Sequence, residues 1–361
     1  MRFGIVGPIS KDTINRAPGE TTSKFGAVAY SATVLAKLLE SAEDDILCLS
    51  HVAAADREAV LALLDFPNIR LCGLDGPANR GTEIELQYLN QHERVSKQTQ
   101  VMTPVSFAEM EQLTDRDYVI LMPLNDTDIP LATVKRFRQS SEATIFLDIH
   151  GLLTGVDHSG KRYRKQWAKE AEWLQAIDIL KMNEHEASWA AGRSLGTFPE
   201  HLDYAVRMVQ SGLTACWITF GSQASLVVWK RQQRLFWAKV PVSDTGQVVD
   251  TIGCGDAASA GFIYAYSRLQ SPIMAVVMGN LLGSVKASLY DAKGFPTRLE
   301  AQDMLYRHYR SYFHNLLDEV LSQQHVIVHE IKEGDRDENF MYSPNGSSYD
   351  HGSGHESHSH R

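Results

Sequence analysis

The sequence predicts an α/β fold built on a mostly parallel central sheet, and three observations lead there. Short apolar, β-rich runs recur along the chain with amphipathic segments between them. One run, residues 118–122 (Y-V-I-L-M), is apolar without alternation, as expected of a strand covered by helices on both faces. A single stretch, 82–89, alternates strictly instead and reads as a half-exposed antiparallel strand.

In chain order, the predicted sheet strands are 2–6, 45–49, 118–122, 144–148, 177–181 and 215–219. Helical patterns at 28–40, 55–64, 131–138 and 203–210 would cover them. In the alternating stretch Ile84, Leu86 and Tyr88 share one face and Glu83, Glu85 and Gln87 the other; with the polar run through Val101 as its hairpin partner, the pair reads as a small β-flap or equally as an ordinary edge hairpin. Residues 297–323 carry Leu299, Met304, Leu305, Tyr309, Leu316 and Val320 at helical spacing, which predicts a long amphipathic helix. Beyond Glu330 the chain turns charged and then rich in Ser, Gly and His, with little to bury, and is expected to be disordered. His351, His355, His358 and His360 there are loosely spaced, suited at most to weak metal binding. The basic stretch 158–165 is either a solvated helix start or a contact for an anionic ligand.

Composition narrows the classes. With 43% hydrophobic and 22% charged residues, fibrous and wholly disordered chains are excluded. A net charge of −9 argues against a nucleic-acid or anionic-membrane binder and leaves room only for a local phosphate site. No apolar run approaches the roughly 18 residues of a membrane span, and the first residues lack a secretory pattern. Cys48, Cys72, Cys216 and Cys254 are scattered, against a disulfide framework or zinc knuckle; a cytoplasmic location is expected.

Chemistry concentrates at 249–262 (V-D-T-I-G-C-G-D-A-A-S-A-G-F). Gly253 and Gly255 allow a tight turn with successive N–H groups exposed, and the small residues after them open a buried helix, whose N-terminus attracts anions. Asp256 beside that hole can take a proton from a hydroxyl while the hole holds a transferring phosphoryl group. Taken alone, the same residues also describe a glycine-rich turn with Asp256 as a helix cap.

This D-T-x-G-x-G-D string resembles the second signature of the ribokinase-like (PfkB) carbohydrate kinases. The resemblance implies a three-layer α/β/α sandwich with a small β-lid, and it assigns Asp250 and Thr251 to the nucleotide side, Gly253, Cys254 and Gly255 to the anion hole, and Asp256 to the catalytic base. Cys254 replaces the usual Ala and would make the site thiol-sensitive. Asn183 and Glu186 in K-M-N-E-H-E resemble the N-x-x-E motif that helps hold Mg²⁺ through water, although the pair also describes a helix cap. Thr219, Gly221 and Ser222 resemble the nucleotide loop, with Ala224 in place of its second glycine. The segment from Gly283 to Pro296, beginning just after Asn280, resembles the adenine-side closing helix and loop, although plain helix packing describes each of its residues as well. Asp12 matches the acceptor-binding Asp; Phe25 and Gly26 match the Gly-Gly substrate turn and Tyr30 an Asn beyond it, so that Phe25 and Tyr30 become candidate acceptor gatekeepers.

As a whole the resemblance implies one kinase domain, 1–330, whose lid includes 12–26 and 82–101, followed by the tail 331–361. It implies ATP, Mg²⁺ and a monovalent cation as cofactors, a small sugar-like acceptor, neither nucleic acid nor membrane as partner, and a homodimer through the lid. Phosphorylation of a sugar, polyol or cyclitol is the leading expectation. A nucleoside kinase and a catalytically weak ribokinase-like sensor are the alternatives.

Overall fold

The alternate residues of the sheet strands feed two separate cores, one on each face. The computed structural model describes residues 1–17, 20–39, 43–74, 76, 79–88, 94–242, 246–318 and 327–331. Its strands are β1 (Arg2–Val6), β2 (Lys11–Ala17), β3 (Glu20–Phe25), β4 (Asp45–Leu49), β5 (Ile69–Cys72), β6 (Glu83–Tyr88), β7 (Arg94–Gln100), β8 (Tyr118–Leu121), β9 (Thr144–Asp148), β10 (Thr154–Val156), β11 (Arg162–Arg164), β12 (Ile179–Asn183), β13 (Ala215–Phe220), β14 (Ala224–Arg231), β15 (Arg234–Pro241) and β16 (Val328–Ile331). The helices are α1 (Val28–Leu38), α2 (Arg57–Leu63), α3 (Phe107–Met110), α4 (Leu131–Ser140), α5 (Glu170–Leu174), α6 (Glu184–Ala191), α7 (Phe198–Gln210), α8 (Cys254–Leu269), α9 (Pro272–Ala287) and α10 (Arg298–Asp318).

The central sheet has ten strands in the order β16-β15-β14-β13-β12-β9-β8-β1-β4-β5. From β5 to β13 every neighbouring pair is parallel, and from β13 to β16 antiparallel. In β8, Tyr118 and Ile120 enter one core and Val119 and Leu121 the other; in β9, Phe146 parts in the same way from Ile145 and Leu147. The first core is closed by Leu35 of α1, Phe262 of α8, Leu281 of α9 and Leu305 of α10, and the second by Phe137 of α4 and Val209 of α7. The result is the three-layer α/β/α sandwich, and the unbroken apolarity of residues 118–122 is its direct signature.

The lid is a separate four-stranded sheet, β3-β2-β6-β7. Its register sets Asp12 beside Ile84 and Ile14 beside Leu86. Ile14, Ile84 and Leu86 are buried against Leu124 and Ile252 of the body. Glu85 and Gln87 face solvent, as the alternation requires.

Several expectations shift. The strand expected at 177–181 is β12, two residues later, because Asp178 is engaged at the strand's mouth, where its backbone N–H donates to Ile145 and its carbonyl accepts from Thr214. The basic stretch 158–165 is no helix start but the β10–β11 hairpin. Its turn is made by the Asp157 carboxylate accepting from the Ser159 and Lys161 amides and by Gly160 at φ 82°. Leu299, expected on the buried stripe of α10, is exposed, whereas Ala301, Leu305 and Tyr309 face the core. Ile331 pairs with Leu235, one residue beyond the expected domain end. The His-rich tail lies outside the described residues.

Candidate active site

A cleft of about 540 Å³ lies between the lid and the carboxyl ends of the parallel strands, walled by Asp12, Asp148, Lys181, Asn183, Thr251 and Asp256 among others. This is where open α/β sheets place their ligands.

Gly253 caps α8 at φ 86°, and a Cβ there would lie 2.5 Å from the Tyr30 ring, so only glycine fits. Asp256 follows in the first turn of α8, where the helix's leading N–H groups have no intrahelical acceptor. Burial, and then the negative charge of Asp148, push its carboxyl up to about 6, although Lys181, His150 and Lys286 pull the other way. Its carbonyl accepts a hydrogen bond of 2.8 Å from the Ser31 hydroxyl of α1.

Under this turn, β9 and β12 place Asp148 and Lys181 side by side in register. The buried Lys181 ammonium pairs with the Asp148 carboxylate and donates to the Gly255 carbonyl at 3.1 Å. Ser259 of α8 donates to the same carboxylate at 3.1 Å. One ion pair thus fixes the first turn of α8 to two sheet strands, and breaking it would strand a buried charge.

Asp12 faces Asp256 from the lid side. It is 4% exposed, and its Oδ1 has no hydrogen-bond partner among the described residues. Burial is the main cause that pushes it up to about 7; the Ser10 hydroxyl and Lys24 oppose the shift, while Asp256 adds to it. Gly26 supports this carboxylate from behind, since a Cβ at that position would meet Asp12 Oδ2 at 2.8 Å.

Asn183 and Glu186 form a reciprocal cap at the start of α6. The Asn183 side chain accepts from the His185 and Glu186 amides at 2.9 Å each, and Glu186 Oε2 accepts from the Asn183 amide at 2.9 Å. Glu186 Oε1 lies 2.8 Å from His150 Nδ1. Burial works against the Glu186 charge, but these hydrogen bonds outweigh it and hold the carboxyl well below the usual range. Every first-choice lone pair of the motif is therefore in use. The donor set suits a Mg²⁺ ion held through water rather than by direct ligation, and no cluster of three or more acidic, His or Cys side chains able to hold a metal occurs among the described residues.

Thr219, Thr251, Gly253 and Gly255 also line the cleft. Gly221 and Ser222 sit in the exposed β13–β14 turn, away from the cleft wall. Asn280 is buried and engaged elsewhere, accepting from the Ser225 hydroxyl at 2.7 Å and donating to the Pro241 carbonyl at 3.3 Å. Asp250 is likewise buried, ion-paired with Lys24 and with its Oδ1 on the Ile252 amide. Cys254 differs from the expectation of thiol sensitivity, because burial pushes its thiol up to about 11 and suppresses the reactive thiolate.

The gatekeeper pair differs as well. Phe25 packs partly buried against the core, and Tyr30 is buried behind Gly253 with no partner for its hydroxyl among the described residues; neither lines the cleft. The backbone conformation that wants glycine falls one residue past Gly26, at Ala27, with φ 52° and ψ −116°. Arg162 and Arg164 belong to the basic stretch 158–165, expected either as a solvated helix start or as a contact for an anionic ligand, and both line the cleft; Arg162 meets His150 at 3.2 Å and Arg164 donates to Thr154 Oγ1 at 2.7 Å. Sequence reasoning passed over His150, which lines the cleft beside them. It also passed over Asp148 and Lys181, whose signal was a charge at the end or inside of an apolar strand.

Residues 156–297, which hold both the Asn183–Glu186 cap and the Gly253–Asp256 turn, match the model of the pfkB family carbohydrate kinases. The fold is ribokinase-like, and the likeness to the PfkB kinases is carried by residues 156–297. A nucleoside kinase from Methanocaldococcus jannaschii is 27% identical over 141 residues, 38% of this chain and 41% of its own length, so the match spans about two fifths of that relative. Two solved structures carry the fold. A pyrophosphate-dependent kinase of the ribokinase family, complexed with a pyrophosphate analog and myo-inositol, superposes with a TM-score of 0.65 at 18% identity over 84% of this chain and 99% of that one. Ribokinase from Arabidopsis thaliana, complexed with ribose and ATP, gives 0.65 at 17% over 84% and 98%. Within this ribokinase-like fold, the central sheet supplies Asp148, Lys181 and Asn183, α8 supplies Asp256, and the lid supplies Asp12.

Proposed function

We propose that this chain transfers a terminal phosphoryl group from ATP to a hydroxyl of a small sugar, polyol or cyclitol. The observation that carries the reading is the Asp256 carboxylate, raised to about 6, in the first turn of α8 and facing Asp12 across the cleft. A base of that strength is ionised at neutral pH yet able to hold a proton. Asp256 accepts the proton of the attacking hydroxyl, while the amides of the Gly253–Asp256 turn face the charge that develops on the phosphoryl oxygens. Asp12 Oδ1 is open to a second acceptor hydroxyl and fixes its orientation. Mg²⁺, held near Asn183 and Glu186 through water, would neutralise the donor phosphates.

Ile84, Leu86, Met122 and Arg162 line the cleft, and among the described residues no Phe, Tyr or Trp on which a base would stack lines it. This supports a polyol over a nucleoside. A sensor would have no use for a tuned base. The lack of any helix long and apolar enough to cross a membrane among the described residues, and four cysteines without disulfides, accord with a cytoplasmic enzyme. A homodimer would have to form at a lid whose β7 edge already bridges from Lys97 to Lys161 of the β10–β11 hairpin. The deciding experiment is a screen for donor consumption over sugars, cyclitols and nucleosides, with ATP and pyrophosphate as alternative donors. Turnover with a polyol that is lost in Asp256→Asn is the expected result. Turnover with nucleosides alone selects the nucleoside kinase, and binding of ATP and sugars without turnover on either donor selects the sensor.

A further inference from the structure

Beneath the Gly253–Asp256 turn, oxygens converge on one point. The Asp250 and Leu289 carbonyls lie 3.2 and 2.9 Å from it and an Asp250 carboxylate oxygen 3.8 Å, and the ammonium of Lys286 occupies it. Lys286 is wholly buried and is not among the residues that wall the cleft. Backbone carbonyls with a carboxylate are what a weakly hydrated monovalent cation uses in place of its water shell. Here the amine of the last turn of α9 stands in that place, with the Tyr30 ring 5.2 Å away as a further face of the cage.

The position matters because of what the cage holds together. The Val249 and Asp250 amides both donate to the Ala287 carbonyl, at 2.7 and 3.1 Å, and the Asp250 carboxylate accepts from the Ile252 amide at 3.0 Å. Lys286 closes this network from the α9 side, so the chain entering the anion hole is fixed by a positive charge that pins its carbonyl. Lys24 pairs with the same Asp250 carboxylate from the lid, so two cations share one anion and positive charge remains behind the hole. In keeping with that, Lys286 is among the groups that draw the Asp256 carboxyl downward.

We propose that Lys286 is a tethered monovalent cation: its ammonium fills the oxygen cage behind the anion hole and makes that turn independent of added K⁺. The family resemblance led to the expectation of a free monovalent cation; at this cage the residues present do not leave it a place. Only the kinetic arm of the test rests on the phosphotransferase reading.

The experiment compares the wild-type chain with Lys286→Ala and Lys286→Met in KCl, NH₄Cl and choline chloride at equal ionic strength, reading both melting temperature and turnover. The wild type should respond identically to all three salts. Lys286→Ala, with the cage emptied, should lose about tenfold or more in turnover, and K⁺ or NH₄⁺, but not choline, should restore part of it and raise its melting temperature. Lys286→Met fills the space without charge, so it should lose turnover and gain nothing from K⁺. A K⁺-specific gain in stability or turnover of the wild type overturns the proposal. So does a Lys286→Ala variant indifferent to K⁺ and NH₄⁺, or a Lys286→Met variant with full turnover. If no acceptor is ever phosphorylated, the melting arm alone decides; if Lys286→Ala does not fold, the wild-type titration and Lys286→Met do.

Discussion

Asp256→Asn should give a protein that is more stable than the wild type and nearly inactive. The Asp256 carboxyl titrates at about 6 in the fold against 3.8 for the unperturbed group. Since the folded value is the higher one, folding disfavours the charged form. Below about pH 4 both states are protonated and the penalty is absent; it grows through the interval and is complete above about pH 6. A shift of roughly two units corresponds to ~3 kcal/mol, and the residual exposure of the side chain reduces this to ~1–2 kcal/mol. Asparagine removes the penalty but gives up the attraction of a carboxylate to the helix N-terminus, ~0.5 kcal/mol. At pH 8 the variant should melt roughly 1–2 °C higher than the wild type, and the gain should vanish at pH 4. Turnover should fall by about 10²–10⁴, with ATP affinity nearly unchanged. Melting curves at three pH values beside a coupled ADP assay measure both effects. A variant that melts lower than the wild type at pH 8 would refute the electrostatic argument, and one with wild-type turnover would remove Asp256 from the base role.

Four further outcomes follow from the site. Glu186→Gln should raise the Mg²⁺ concentration needed for half-maximal rate; a titration that does not move leaves the motif as the helix cap it visibly is. Phe25→Gly should lower the melting temperature without changing the order of preferred acceptors, because the ring packs against the core; a reordered acceptor panel would return the ring to the cleft. Its neighbour Tyr30 buries a hydroxyl with no partner among the described residues, so Tyr30→Phe should be neutral or stabilising by ~1 kcal/mol, and a clear loss of stability would show that the hydroxyl has a partner. Iodoacetamide at neutral pH should leave Cys254 unmodified by mass spectrometry, since its thiol titrates at about 11, and rapid alkylation with loss of turnover would contradict that.

The parallel half of the sheet was legible because each strand is apolar on both faces, and three of the six expected strands have the observed limits. The antiparallel end was not. The hairpin from β14 to β15 turns through Gln232 and Gln233, both at positive φ, 49° and 64°, with neither the Asn nor the Gly that usually announces such a turn. The β10–β11 hairpin has strands of three residues, too short for any period to register. Within the site, Gly253, Gly255 and Asp256 were legible because the turn itself demands those residues. Asp148 and Lys181 justify each other only once β9 and β12 lie side by side, and a contact between distant segments leaves no local trace. Phe25 and Tyr30 were misplaced for a related reason: a position in a turn says where the backbone goes, not which way a ring beside it points.

Among its described residues the lid sheet has for its own core only Ile14, Ile84 and Leu86, lodged against Leu124 and Ile252. Burying side chains of that size contributes ~2 kcal/mol each, well short of the ordering cost of four strands at ~1 kcal/mol or more per residue. Such a sheet depends for its burial on Leu124 and Ile252 of the body beneath it. Asp12, Ile84 and Leu86 also wall the cleft, so an acceptor that touches them adds to the very layer the sheet lacks. Ordering of the lid and capture of the acceptor are then one linked equilibrium, in which each must strengthen the other by the same factor.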